Sequence, residues 1–207
     1  MTQGILYIIS APSGTGKSSL INSLLKNYIF NNIKVSISYT TRTIRSGEKN
    51  GKHYFFISKS KFLKKIKNND FLEYAYIFEN YYGTSKIMIE KLLNNYTDVI
   101  LNIDWQGALQ IRKKILKTRS IFILPPSKTQ LFHRLKTRGQ DNKETIKKRI
   151  SYAINEIEHF NEYDYLIIND DFNTALNDLQ SIIRSEHLKL KYQIKKTNIL
   201  INNFLKK

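Results

Sequence analysis

The chain has 207 residues, of which 41% are apolar and 25% charged, and its formal net charge is +17. This length and apolar content suit one compact domain, or one core with insertions, and exclude a disordered or fibrous protein. The sequence contains no cysteine, which excludes disulfides and thiolate metal sites, and no apolar run approaches the length of a membrane span. The first ten residues lack the basic start of an export signal, so we expect a cytoplasmic protein with no membrane contact.

Apolar runs of strand length alternate with helical periodicity, a pattern typical of an α/β protein with a mostly parallel sheet flanked by helices. The predicted strands are residues 5–9, 35–38, 99–103, 120–124 and 165–168. Between residues 40 and 82 the pattern changes. There "GKHYFFI" predicts a strand after a glycine turn, and "KFLKKIKNNDFLEYA" predicts a short amphipathic helix followed by an extended segment. We expect this stretch to be an insertion on the core.

The C-terminal third is predicted to be mostly helical. Capping patterns at Ser127 and Asp141 predict two helix starts on either side of Gly139. The second of these helices has one predicted buried face, formed by Ile146, Ile150, Ile154 and Ile157. A last helix runs from residue 173 and fades into a lysine-rich tail, and its predicted inward residues are Leu176, Leu179, Ile182 and Ile183.

A glycine-rich loop, "ISAPSGTGKSS", follows the first predicted strand and precedes a helix. In this geometry successive backbone N–H groups converge on a phosphate at a helix N-terminus. The pattern G-x-x-x-x-G-K-[ST] assigns Lys17 to the β- and γ-phosphates and the Ser18 hydroxyl to Mg²⁺, while Gly14 and Gly16 allow close approach. Ala11 stands where the pattern has its first glycine, which the backbone accepts if φ stays negative.

Arginine is rare and clustered. Only 8 of the 34 basic residues are arginine, and Arg42 and Arg45 lie three apart after a predicted strand. Because the guanidinium fork matches phosphate oxygens, this pair predicts a second phosphate site, with a solvated basic loop as the alternative. The lysines are spread along the whole chain. The net charge therefore indicates a solvated surface that steers small phosphorylated substrates more than it indicates a nucleic-acid partner.

Eight strings in register carry a resemblance: "APSGTGKSSL", "TTRTIRSGE", "FLEYA", "NYYGTS", "DWQGA", "RSIFILPPS", "RGQD" and "NDD". Over nearly its whole length the chain resembles the bacterial guanylate kinases. The resemblance implies transfer of the γ-phosphoryl group of ATP to GMP, and by extension to dGMP, with Mg²⁺, in purine nucleotide metabolism. It also implies three parts. These are a P-loop core (1–36, 88–128 and 161–207), a GMP-binding region of mixed and antiparallel strands (37–87) and a helical lid (129–160).

The resemblance also implies site residues. Those for ATP are Ala11, Pro12, Ser13, Gly14, Thr15, Gly16, Lys17, Ser18, Ser19, Arg134, Arg138 and Asn169, with Asn169 at the adenine ring. Those for GMP are Ser38, Arg42, Arg45, Glu48, Tyr54, Glu73, Tyr82, Thr84 and Asp104. The implied catalytic residues are Lys17, Arg42, Arg138 and Arg149, and Ser18 is the implied Mg²⁺ ligand. Glu73 suits guanine because one carboxylate can accept from N1–H and the N2 amino group together, a donor pair that adenine lacks.

One departure and three rival functions accompany this interpretation. Asn102 stands where members of the family often have an acid, and an amide cannot ionise. A non-catalytic binding module is disfavoured because the loop lysine and the lid arginines are all present. A GTPase switch is disfavoured because no N-K-x-D motif follows a strand, and a nucleic-acid binder has only the net charge in its favour. No oligomeric state is predicted.

Overall fold

A computed structural model of the protein describes residues 3–115, 117–137 and 143–205. The strands are β1 (Leu6–Ser10), β2 (Ile33–Val35), β3 (Tyr39–Thr40), β4 (Phe55–Phe56), β5 (Phe71–Ile77), β6 (Asn80–Ser85), β7 (Asp98–Asn102), β8 (Arg119–Leu124) and β9 (Tyr165–Ile168). The helices are α1 (Lys17–Lys26), α2 (Lys59–Lys67), α3 (Lys86–Asn94), α4 (Trp105–Lys114), α5 (Lys128–Thr137), α6 (Lys143–Ile157), α7 (Phe172–Leu188) and α8 (Leu190–Leu205).

The larger sheet is parallel, with strand order β2-β7-β1-β8-β9. Its central strand β1 is buried on both faces, which is why it reads as a continuous apolar run and not as an alternating one. Tyr7 and Ile9 pack toward α1 and α7, while Leu6 and Ile8 pack toward α3 and α4. The loops after β1, β7 and β9 therefore leave the sheet at one edge, where ligands of open α/β sheets bind.

The smaller sheet is mixed, with strand order β4-β3-β6-β5, and is built from the segment predicted to be an insertion. In it β5 and β6 form an antiparallel hairpin, and the register sets Glu73 opposite Thr84. Phe62 of α2 stacks on Phe71 and Tyr81, so α2 covers the sheet through an aromatic contact. The α/β fold, its parallel sheet and the separate mixed sheet are confirmed.

Two strand predictions were wrong in extent. The second strand ends at Val35, so residues 36–38 lie outside it and only Ser36 still bonds to β7, through Ile100. The strand predicted from "GKHYFFI" comprises only Phe55 and Phe56, because its neighbour β3 is itself two residues long. In both places the pairing with a neighbouring strand ends earlier than the apolar pattern predicts.

Helices α5 and α6 form a small core of their own around Leu131, Leu135 and Ala153. The predicted cap at Ser127 is confirmed, since its Oγ accepts from the Gln130 N–H at 3.1 Å. Asp141 and Gly139 lie outside the described residues, and so does the side chain of Ile146. The prediction for Ile154 was wrong: it is 38% exposed, because Ala153 takes the inward position between Ile150 and Ile157.

The C-terminal segment also differs from its prediction. The inward positions of α7 are confirmed: Leu179 and Ile183 are buried, and Leu176 and Ile182 pack against the same core. The lysine-rich tail, however, forms the separate helix α8 after a break at Lys189. Within the described ranges, no helix is both long and apolar enough to cross a membrane.

Candidate functional site

The glycine-rich loop joins β1 to α1 in the geometry that its sequence predicts. Gly14 and Gly16 have φ values of 94° and 95°, which side chains rarely adopt. At Gly16 a Cβ atom would lie 2.5 Å from the Asn169 amide nitrogen, so packing also requires glycine there. Ala11 is absent from the described residues with positive φ and is buried in the core. Alanine therefore fits at this position.

Helix α1 differs from its neighbours at its N-terminus. Serine or aspartate side chains cap α2, α3, α4 and α7, each accepting a hydrogen bond from a first-turn N–H group. Helix α1 has Gly16 as its N-cap, and among the described side chains none makes such a cap hydrogen bond there. Its first-turn N–H groups, together with the positive end of the helix dipole, suit an anion supplied from outside the chain.

Side chains from α5 and from the end of β9 brace the loop. The Asn169 amide donates to the Thr15 carbonyl at 2.6 Å, and the Arg134 guanidinium donates to the carbonyls of Thr15 and Asn169 at 3.2–3.4 Å. Residues from α5 and from the end of β9 therefore fix the backbone of a loop 119 and 154 residues away in sequence.

A cavity of about 230 Å³ lies between this loop and the mixed sheet. Its lining combines charged and polar groups with an apolar wall, and consists of Lys17, Ser38, Tyr54, Glu73, Ala75, Ile77, Phe78, Tyr82, Asn102, Ile103 and Asp104. Burial lowers the pKa of the Lys17 ammonium, and the charges of Glu156 and Asp104 oppose that shift. The cavity thus places one ammonium opposite several carboxyl groups.

Glu73 is the buried acid of this cavity. It is only 3% exposed, and its Oε1 accepts a hydrogen bond from the Thr84 hydroxyl at 2.5 Å. Burial raises the pKa of Glu73 to about 7, and the charge of Asp104 adds to this effect. A Cβ atom at Gly107 would lie 2.6 Å from Glu73 Oε2, so the start of α4 leaves room for this carboxyl group.

Arg42 lies in the loop after β3, beside the mixed sheet. Its guanidinium pairs with Glu48 Oε1 at 2.7 Å and lies over the Tyr54 ring, 5.5 Å from the centroid. The hydrogen bond from Arg42 lowers the pKa of Glu48, so this acid stays ionised. Tyr54 in turn makes an edge contact with Tyr82 at 5.9 Å between ring centroids. An oriented guanidinium and two phenols here suit a second anion.

Helix α6 supplies two residues that sequence reasoning missed, Tyr152 and Glu156. The Tyr152 hydroxyl donates to Asp104 Oδ2 at 3.2 Å. Glu156 is buried near Lys17 and Asp104, and burial raises its pKa to about 8. Positions 149, 152 and 156 lie three and four residues apart and therefore share one face of a helix. The sequence contains this spacing, but only the isoleucine positions were used to predict the buried face.

The remaining predicted residues differ in whether they lie at the cavity. Ser38, Tyr82 and Thr84 lie at or beside the cavity, whereas Arg45 is exposed and its backbone N–H donates to Glu48. Ser18 and Ser19 are exposed in the first turn of α1, Pro12 is buried, and Ser13 is exposed on the loop. Arg138 lies outside the described residues, and so does the side chain of Arg149. Asn102 lines the cavity beside Asp104, and a group of three or more His, Asp or Glu residues that could hold a metal is absent from the described part.

The strand, the glycine-rich loop, the uncapped helix and the sheet order define a P-loop nucleotide-binding protein. Comparison with known proteins identifies its family. The sequence model described as guanylate kinase matches residues 3–186. A guanylate kinase of Buchnera aphidicola from Schizaphis graminum is 60% identical over 206 residues, and that of Photorhabdus laumondii is 57% identical over 205, with at least 99% of each chain covered.

The crystal structure of guanylate kinase from Anaplasma phagocytophilum has a TM-score of 0.76 and 33% identity, covering 91% of this chain and 89% of that one. The chain belongs to the guanylate kinase family. It is a nucleoside monophosphate kinase that phosphorylates GMP with ATP as co-substrate, which confirms the predicted function.

Proposed function

We propose that the glycine-rich loop binds the phosphates of ATP, that the cavity beside the mixed sheet binds GMP, and that the phosphoryl group passes in line between them. One observation carries this assignment: Lys17, from the loop, and Glu73, from the hairpin β5–β6, line the same cavity of about 230 Å³. The phosphate loop therefore borders the acceptor pocket. We place the reaction in the cytoplasm, in purine nucleotide metabolism.

On the acceptor side, the ionised Glu73 accepts from guanine N1–H and the N2 amino group. Thr84 fixes the carboxyl group, and Ser38 adds a hydroxyl to the same wall. Adenine would set its N1 lone pair against the carboxylate and leave a buried charge unpaired, a mismatch of the kind that rejects an analogue by about 10⁴-fold.

The phosphate of GMP binds to Arg42 and Arg45 with the hydroxyls of Tyr54 and Tyr82. Arg42 is already oriented by Glu48 and by the Tyr54 ring, so little side-chain freedom is lost when the phosphate arrives. The exposed Arg45 orders only on binding, and Glu48 acts through Arg42 without touching the nucleotide.

On the donor side, residues 11–19 hold the triphosphate with backbone N–H groups and the Lys17 ammonium. Three lid arginines act here: Arg134 braces the loop and approaches the phosphates, and Arg138 and Arg149 close on the triphosphate. Asn169 positions the loop through Thr15, and we place the adenine ring beside this residue. Arginines that neutralise the transferred phosphoryl group contribute about 10³- to 10⁵-fold in rate.

The Ser18 hydroxyl, together with the nucleotide phosphates, would hold Mg²⁺. This site fits because oxygen donors suit Mg²⁺, and the Ser18 side chain is exposed in the first turn of α1, next to Lys17. The ion neutralises charge on the phosphates when bound. No general base is needed, because the attacking oxygen belongs to a GMP phosphate that is already ionised. The chain's own contribution is alignment and charge stabilisation.

The decisive experiment measures ADP formation from ATP and Mg²⁺ with GMP, dGMP, AMP, UMP or TMP as acceptor. We expect turnover with GMP and dGMP and little with the other three. Turnover with AMP but not with GMP would contradict the role of Glu73. Omitting Mg²⁺ should abolish phosphoryl transfer. Transfer from ATP to GMP in excess EDTA would contradict the metal assignment.

A further inference from the structure

Tyr152 of α6 contacts two other parts of the molecule across the cavity. Its hydroxyl donates to Asp104 Oδ2 at 3.2 Å and accepts from the Gln106 amide at 3.3 Å, so it is tied to the start of α4. Its ring lies against the ring of Phe78, with centroids 4.7 Å apart and planes at 49°. This spacing is typical of a favourable aromatic pair. One side chain thus joins α6 to the start of α4 and to the tip of the hairpin β5–β6.

Phe78 lies at the tip of the hairpin β5–β6 in an unusual backbone conformation. Phe78 and Glu79 have φ values of 47° and 62°, in the left-handed region that large side chains rarely adopt. The Asn80 amide donates to the Phe78 carbonyl at 2.7 Å and holds the turn. Phe78 lines the cavity yet remains 50% exposed. Such backbone strain persists only where surrounding contacts hold it, and it clusters at functional sites.

We propose that Tyr152 and Phe78 form a clasp across the cavity through which GMP in the acceptor pocket tightens the binding of ATP, and ATP the binding of GMP. The contact forms only when α6 and the hairpin tip both lie against the cavity. A ligand that stabilises either element therefore raises the population in which both are in place. The resulting coupling is reciprocal by thermodynamic necessity. The clasp rests on the proposed division of the site between ATP and GMP.

Helix α6 transmits the effect to the phosphate loop. Glu156, one turn after Tyr152, is buried within electrostatic reach of Lys17. When the clasp fixes α6, it therefore also fixes the carboxyl group of Glu156 beside the ammonium proposed to meet the ATP phosphates. Tyr152 and Phe78 are positioning residues in this scheme, because they act through the elements that they join.

The test measures the dissociation constant of a non-hydrolysable ATP analogue with and without saturating GMP, and that of GMP with and without the analogue. In the unmodified protein we expect each ligand to tighten the other by about 10-fold, within the usual range of coupling between sites. In Phe78→Ala and in Tyr152→Ala the factor by which one ligand tightens the other should fall below about 2-fold, whatever the change in affinity for each ligand alone. The double variant should lose no more than either single one.

Two further variants serve as a conservative substitution and a matched control. Tyr152→Phe retains the ring but not the Asp104 hydrogen bond, so it should keep more of the coupling than Tyr152→Ala. Tyr76→Ala removes an aromatic ring of similar exposure, 52%, from the same hairpin but outside the cavity lining, and should leave the coupling intact. Melting temperatures verify that each variant is folded.

The outcomes separate the clasp from the proposed function. If the unmodified protein does not turn over GMP, the proposed function fails. If it turns over GMP and folded Phe78→Ala and Tyr152→Ala variants keep full coupling, only the clasp is overturned. Losses that simply multiply in the double variant would also overturn it, because two halves of one contact cannot act independently.

Discussion

The proposed phosphate loop and the proposed acceptor pocket are built in opposite ways. The loop uses contiguous residues, and its binding groups are mostly backbone N–H groups at the start of α1, left without a side-chain cap. The proposed pocket would use side chains from distant segments, and other residues hold them: Glu48 pairs with Arg42, and the Thr84 hydroxyl donates to Glu73. A backbone site is general for phosphates, whereas a site of side chains from several elements can also select the base.

The largest effect is expected at the loop, from Lys17→Met. This change removes the ammonium that stabilises the transferred group, so the turnover number should fall by about 10³-fold or more. GMP affinity should change far less than the turnover number, because Lys17 borders the acceptor pocket but the residues proposed to bind GMP come from other segments. Steady-state kinetics and calorimetric titration of GMP measure the two quantities. Loss of GMP binding would show that loop and pocket are not separable in this way.

In the pocket, Glu73→Ala should lower the specificity constant for GMP by about 10²-fold, because it removes the acceptor for both guanine donors. It should not create activity toward AMP, since no new acceptor or donor appears. Competition kinetics with GMP and AMP provide the measurement. Glu90→Ala, which removes an exposed acid of α3, is the matched control and should behave like the unmodified protein. A strong effect there would point to surface charge in place of base recognition.

The two regions should also differ in their dependence on pH. Burial raises the pKa of Glu73 to about 7, and guanine binds its ionised form, so GMP binding should release a proton. The dissociation constant for GMP should therefore fall as pH rises from about 6 to about 8, by up to about 10-fold per unit below the pKa. Glu73→Gln should retain only the dependence that comes from the GMP phosphate itself. An unchanged profile in that variant would contradict the assignment.

The same shift has a consequence for folding. Because the folded-state pKa of Glu73 exceeds its ordinary value of 4.5, its contribution to stability is complete at low pH and is lost as pH rises toward about 7. The free energy of unfolding should be less dependent on pH over this window in Glu73→Gln. Urea titrations between about pH 5 and pH 8 measure the difference.

The smallest effect is expected at Asn102, which lines the cavity at the boundary of the two regions. If the phosphates and Ser18 hold Mg²⁺, Asn102→Asp should change the Mg²⁺ dependence of the rate by less than about 2-fold. Initial rates across a series of Mg²⁺ concentrations provide the test. A marked rise in apparent Mg²⁺ affinity would place position 102 among the groups that hold the metal.

Sequence reasoning succeeded where a residue's role depends on its immediate neighbours in the chain. The central strand β1, the glycines of the loop and the cap at Ser127 follow from local rules. It failed where pairing partners decide the outcome, as for residues 36–38 and for Ile154. It also missed Tyr152 and Glu156, because nothing in their own segment shows that α6 packs against Lys17 and Asp104.

The sequence by itself determined the α/β class, the phosphate loop and the family, because glycine spacing, apolar periodicity and short motifs act through the nearest residues. Only the tertiary structure decided which side chains share the cavity: it sets Glu73 opposite Thr84 by strand register and brings Tyr152 against Phe78 and Asp104. Such contacts depend on how distant segments pack, and a local pattern does not encode that packing.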